Sequence, residues 1–230
     1  VRSVPPIGKT TPPSVAALME GIRYAYTRKD LLGTYVVDLA AMFFAMPMAL
    51  FPFWADAIGA PYALGFFYSS ITIGAVLVTL LSGWMRNYPH HGRAVVIGAL
   101  GWGVAIVVAG STDSLYVVIG SLIIAGAFDQ VSALFRGFIW NQSIPDELRG
   151  RLAGIEMLSY SLGPLGGQTR AGSMAAWTSL RTSIVGGGIL CIGGVLALAG
   201  ALPHFRKYDS RTDEFAIAER EKRGKPNGEN

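Results

Sequence analysis

Apolar residues in this chain come in long blocks rather than at the spacing of a half-buried helix or strand. Blocks of about 20 apolar residues match the hydrocarbon core of a bilayer, whereas helices of soluble proteins are about half that length. Six blocks stand out: Leu32 to Trp54, Ala63 to Trp84, Ala94 to Ser111, Leu115 to Ile139, Leu152 to Trp177 and Thr182 to Leu202. The pattern predicts six transmembrane helices joined by short polar connections. Gly163, Pro164, Gly166 and Gly167 interrupt the fifth block. A kink or break is expected there, since neighbouring helices in a bundle can satisfy the backbone groups it frees. Ahead of the first block, Val1 to Pro13 carries four prolines and reads as a linker. From Ser14 a stripe of Val15, Leu18, Ile22 and Tyr26, bordered by Arg23, Arg28 and Lys29, predicts a short helix lying along the headgroup surface. The expected organisation is therefore all-α and polytopic. Residues 1–30 form a cytosolic linker with a short amphipathic helix, residues 31–203 a six-helix transmembrane bundle, and residues 204–230 a cytosolic polar tail.

Composition sharpens the membrane assignment. Charged residues make up 15% of the chain and apolar ones 51%, with a mean hydropathy of +0.42, against about 25% charged in soluble domains. The net charge of +4 does not point to nucleic acid, because the positive residues flank apolar blocks, where they meet anionic lipid headgroups and set topology. With both termini cytosolic, all of the 19 lysines and arginines except Arg170 and Arg181 fall on the inner side. That bias predicts both termini on the cytosolic side, and the cell membrane is the expected location. Residues 1–13 lack the apolar core of a signal peptide. The single cysteine, Cys191, lies within an apolar block, where packing is its expected role.

Acids inside apolar blocks carry the chemistry, because each costs about 2.5–3.5 kcal/mol near the bilayer centre on insertion scales. Asp38 shares a small, polar stripe with Thr34, Ala41 and Ala45. Asp129 shares a face with Ser132 and Arg136, and Glu156 lies early in the fifth block near Ser159 and Tyr160. Each is read either as a proton carrier or substrate contact, or as a member of an ion-pair network with Arg93, Arg136 or Arg149. For Asp129 the network reading leads, with Arg136 pairing to it or to a neighbouring helix. Asp38 has no cation near it in sequence. Met42, Phe43 and Met46 in the first block and Tyr68 in the second are candidate cavity residues, since thioethers and rings suit varied apolar ligands. His90 and His91 lack further ligands spaced for a metal, and no phosphate-binding loop or nucleophile–base set is present. Neither enzyme activity nor a cofactor is expected.

The loop from Gly83 through Trp84, Met85 and Arg86 to Gly92 and Arg93 resembles the loop between paired helices in the major facilitator superfamily, with Asn87 where an aspartate is usual. Asp129 and Arg136 are similar to a cytosolic-gate motif of that family's tenth helix, and Pro145, Glu147, Arg149, Gly150 and Arg151 to the following loop. Gly163 to Gly166 and Arg170 to Gly172 resemble the eleventh helix of the enterobactin-exporter and macrolide-efflux branch, and Phe205 to Asp209 the end of the twelfth. The resemblance implies a linker and the second six-helix half of a twelve-helix transporter, whose first half is missing from this chain. It also implies proton-driven efflux of a small apolar or amphipathic molecule such as a drug or siderophore. Arg86, Arg93, Asp129, Arg136, Arg149 and Arg151 would form the cytosolic gate. Asp38, Glu156, Met42, Phe43, Met46 and Tyr68 remain candidates for substrate or proton coupling. The expected partners are membrane lipid, the first half and the solute. The alternative is a non-transporting membrane scaffold or sensor that retains the fold.

Overall fold

The computed structural model describes residues 28–144 and 146–224, apart from the side chains of residues 29 and 143, of most positions between 146 and 159, and of several beyond 218. The short helix expected over residues 14–28 lies outside the described residues, save for Arg28. Among the described residues there are nine α-helices: α1 (Lys29–Ala45), α2 (Phe51–Ala57), α3 (Leu64–Leu80), α4 (His91–Gly110), α5 (Leu115–Ser143), α6 (Asp146–Trp177), α7 (Leu180–Ala201), α8 (Pro203–Arg206) and α9 (Glu214–Gly224). No strand occurs among the described residues. Each expected block maps onto a helical segment with ends shifted by a few residues.

Among the described residues five segments are long and apolar enough to cross a membrane: Asp30–Ala57, Pro61–Leu80, His91–Gly110, Leu115–Gln142 and Leu180–Ala201. The remaining expected span, α6, has 32 residues, about 48 Å of helix at the usual rise, but a more polar sequence. It still traverses the bundle. It starts beside the end of α5 and finishes next to Ser179 and Leu180, which line one cleft with Trp54, Gly110 and Asp113. The chain therefore runs up and down, gathering the α2, α4–α5 and α6–α7 connections at one end. There Arg181 pairs with Asp113.

Two helix irregularities differ from expectation. The first span is broken: α1 stops at Ala45, and the chain makes a 3-10 turn over Met48–Leu50 before α2 begins. Pro47 is the cause, lacking an N–H and carrying a ring that clashes with the carbonyl four residues earlier. The break expected in the fifth block is absent, since α6 runs helically through Pro164. Its glycines serve close approach instead: a Cβ on Gly167 would strike the Met42 carbonyl, and one on Gly163 would crowd Met42 and Leu39.

At the opposite end the tail is packed rather than free. The Phe205 ring fills a notch over Gly33, its carbonyl lies against Gly92, and Phe205 is fully buried. The Ser210 amide donates to the Pro89 carbonyl at 3.1 Å, and His90 Nε2 lies 3.6 Å from Asp209. The guanidinium of Arg28 stacks 3.5 Å from the centre of the Phe215 ring in α9 and pairs with Asp30 at 2.6 Å. Composition alone had left this segment as a polar tail. Its aromatic residues dock it.

Candidate functional site

The broadest helix contacts are α5 with α3 and α4, α7 with α4, and α1 with α6 and α7, whereas the α1 and α5 backbones approach each other at few places. Long side chains bridge that thin seam. Asp38 of α1 and Arg136 of α5 form a salt bridge at 2.5 Å, with side chains 4% and 9% exposed. Removing one partner of such a pair leaves an uncompensated buried charge, which costs several kcal/mol, about 3–5 in soluble cores. The Arg136 guanidinium carbon also lies 5.7 Å from the centre of the Tyr160 ring on α6, while its Nε is buried without an acceptor among the described residues. Three helices therefore converge on one cation.

One turn toward the tail end, a second bridge crosses the same seam. The Trp140 indole Nε1 donates to Thr34 Oγ1 at 3.2 Å, and that hydroxyl donates to the Leu31 carbonyl at 2.7 Å. Thr34 and Asp38 are four residues apart on α1, as are Arg136 and Trp140 on α5, so each pair shares a helix face. Tyr35 packs edge-on against Trp140, with centroids 4.9 Å apart. Asp129 is half-buried two turns from Arg136 on α5, and it makes no hydrogen bond or salt bridge among the described residues. Arg136 thus pairs with the neighbouring helix, and its partner is the acid for which sequence offered none.

The other candidates separate. Met42 and Met46 are buried, packed in the α1–α6 seam against Gly163 and Gly167. Phe43 is 39% exposed and sits against Gly166 and, edge-on, Phe44. Tyr68 closes the helix break: its hydroxyl donates to the Met48 carbonyl at 3.3 Å, and its ring meets Phe51. Trp102 does the same from α4, its indole N–H donating to the Ala45 carbonyl at 3.1 Å. Arg86, in the 3-10 turn Ser82–Asn87, and Arg93 are exposed and make no ion pair among the described residues. Arg149, Arg151 and Glu156 lie on the first half of α6, with side chains outside the described residues.

Sequence reasoning passed over Thr34, Trp140, Trp102 and Arg170 as site residues. Arg170, within the fifth block and on the outer side in the sequence reading, stands within α6 against Gly187 of α7, with one Nη donating to the Met174 sulfur at 3.3 Å and its Nε buried without an acceptor among the described residues. The described residues contain no group of three His, Cys, Asp or Glu able to hold a metal.

Helices of bilayer length, large apolar side chains on the outer faces and a sealed charge pair between two of them define a polytopic helical membrane protein. Residues 34–226 match the model of the Major Facilitator Superfamily. The chain belongs to that family. It is similar to the "Multidrug efflux pump Tap" of Mycolicibacterium fortuitum, 28% identical over 199 residues, covering 85% of this chain and 48% of the relative. It is also similar to the "Enterobactin exporter EntS" of Escherichia coli (strain K12), 24% identical over 209 residues, covering 89% of this chain and 50% of the relative. The corresponding protein of Shigella flexneri is 25% identical over 198 residues, 85% of this chain and 47% of the relative. The chain thus spans about half the length of the curated relatives it matches. No solved structure matches significantly.

Proposed function

We propose that this chain is the C-terminal half of a proton-coupled exporter of small apolar or amphipathic molecules in the cell membrane, with the docked tail on the cytosolic side. The observation that carries this reading is the Asp38–Arg136 pair, sealed between α1 and α5 where the two backbones approach at few places. The efflux relatives support the direction of transport, and the first half is the partner this reading requires. Retaining an acid inside a bundle asks for a reason. A proton on Asp38 would cancel its charge and leave Arg136 without its anion, loosening the only ionic link described across that seam. Proton uptake thereby becomes helix movement.

The test uses the complete two-half protein in inside-out vesicles, where export is read as accumulation of an amphipathic dye against its gradient. Asp38→Asn should abolish gradient-driven accumulation while dye equilibration down its gradient continues, a split expected when coupling and not binding is lost. Undiminished accumulation by the Asn variant would remove Asp38 from the mechanism. In the same vesicles, a cysteine at Asp113 should react with an impermeant reagent only from the lumen, the former outer side.

A further inference from the structure

Two of the side-chain bridges across the α1–α5 seam differ in kind. The Asp38–Arg136 bridge can be neutralised by one proton. The Thr34–Trp140 bridge contains no group that titrates in the physiological range. Its strength is therefore indifferent to the event that loosens the first. Thr34 is almost fully buried, and its hydroxyl is fixed in direction, because it spends its single proton on the Leu31 carbonyl and offers a lone pair to the indole. The ring of Trp140 is held in turn by Tyr35. On the other side of Asp38, α1 runs only two turns before it breaks at Met46 and Pro47. The segment between the two bridges and the break is thus anchored firmly at one end and jointed at the other.

We propose that Thr34 and Trp140 form a charge-independent pivot about which α1 swings when Asp38 takes up a proton. They are positioning residues. With the pivot intact, releasing Arg136 can move Phe43 and the break relative to α5, but cannot let the tail end of α1 slide. Without it, the Asp38–Arg136 bridge is left as the described link between α1 and α5, so a proton on Asp38 lets α1 slide rather than swing, and the link between proton uptake and solute movement is lost. The inference rests on the reading of Asp38 as the proton acceptor.

The experiment compares Thr34→Val, which removes the hydroxyl at nearly constant shape, Thr34→Ser, which keeps it, and Trp140→Phe, which keeps a ring but removes the N–H. All are made in the complete two-half protein. Thr34→Val and Trp140→Phe should lower gradient-driven dye accumulation at least about fivefold while leaving downhill dye movement within about twofold, and Thr34→Ser should restore accumulation. Equal loss of uphill and downhill movement, or failure of serine to rescue, would reduce the pair to packing and overturn the proposal. A transport-independent arm separates this from failure of the export reading itself. Spin labels at Phe43→Cys and Ile124→Cys, in a Cys191→Ala background, report the α1–α5 distance as pH is lowered. One defined pH-driven step that Thr34→Val converts, at low pH, into a broad distribution supports the pivot. Distributions identical in both proteins overturn it, whatever the vesicles do.

Discussion

At the scale of single residues, the break in the first span is stabilised by donors that come from elsewhere in the chain. A helix that ends inside a bilayer leaves its last carbonyls without amide partners, and no water is there to replace them. Trp102, 2% exposed, supplies one such donor to Ala45. Trp102→Phe keeps the ring and most of its packing but leaves that carbonyl bare. The expected loss is about 1–3 kcal/mol, the cost of an unsatisfied buried group, read as a lower thermal midpoint of the purified full-length protein. A midpoint equal to the wild type would show that the Ala45 carbonyl finds another donor.

At the scale of elements, close backbone approach sets the bundle's geometry. Where α3 crosses α5, a Cβ on Gly74 would strike the Ile123 carbonyl, and one on Gly126 would strike the Ile71 carbonyl. The helices touch main chain to main chain. Gly126→Ala must push them apart, at an expected cost of about 1–3 kcal/mol for overpacking a fitted interface. Gly120→Ala, on the same helix with nothing within 4 Å, should be neutral or slightly stabilising, since alanine is the better helix former. Denaturation of the two variants side by side checks the contrast, and equal effects would refute the crossing. The spans themselves were legible in the sequence because block length and apolarity are local properties. The helix breaks were less legible: the one found lies in the first block, and none interrupts the fifth. Gly163 and Gly167 mark a packing surface on α6, whereas Pro47, amid a rich apolar run, ends α1. The site was only half legible: Asp38 announced itself as a costly acid, but its partner lies on another span, and nothing in one sequence reports which faces meet. Thr34 stood out only as a member of Asp38's polar stripe, and Trp140 carried no charge to draw notice, although its four-residue offset from Arg136 was in plain view.

At the scale of the whole molecule, the docked tail ties three helix ends together and carries its own pH dependence. Burial raises the carboxyl of Asp213 above the ordinary carboxylate range, helped by Asp30 and opposed by the amides of Ala216 and Phe215 and by Arg28. A group with a raised folded value contributes stability that is complete below its unfolded value, about 3.9, and that is lost as pH climbs through the folded one. Docking of α9 should therefore weaken from mildly acidic toward neutral pH. Asp213→Asn retains the side-chain oxygen that caps Ala216 while removing the charge. Its α9 amides should exchange more slowly than those of the wild type at neutral pH, with the pH slope flattened after correction for intrinsic exchange. An unchanged slope would assign the dependence to other groups. The notch filled by Phe205 has a further consequence for how the protein is made. Gly33 and Gly92 enter the membrane ahead of Phe205, with the first and third of the described spans, but the ring that occupies their slot leaves the ribosome only after the last of these spans has been synthesised. Until then the slot stands open at the tail-side face. A chain stalled or truncated before Phe205 would carry all its spans and still display that unfilled slot, a mark by which unfinished copies differ in shape from finished ones.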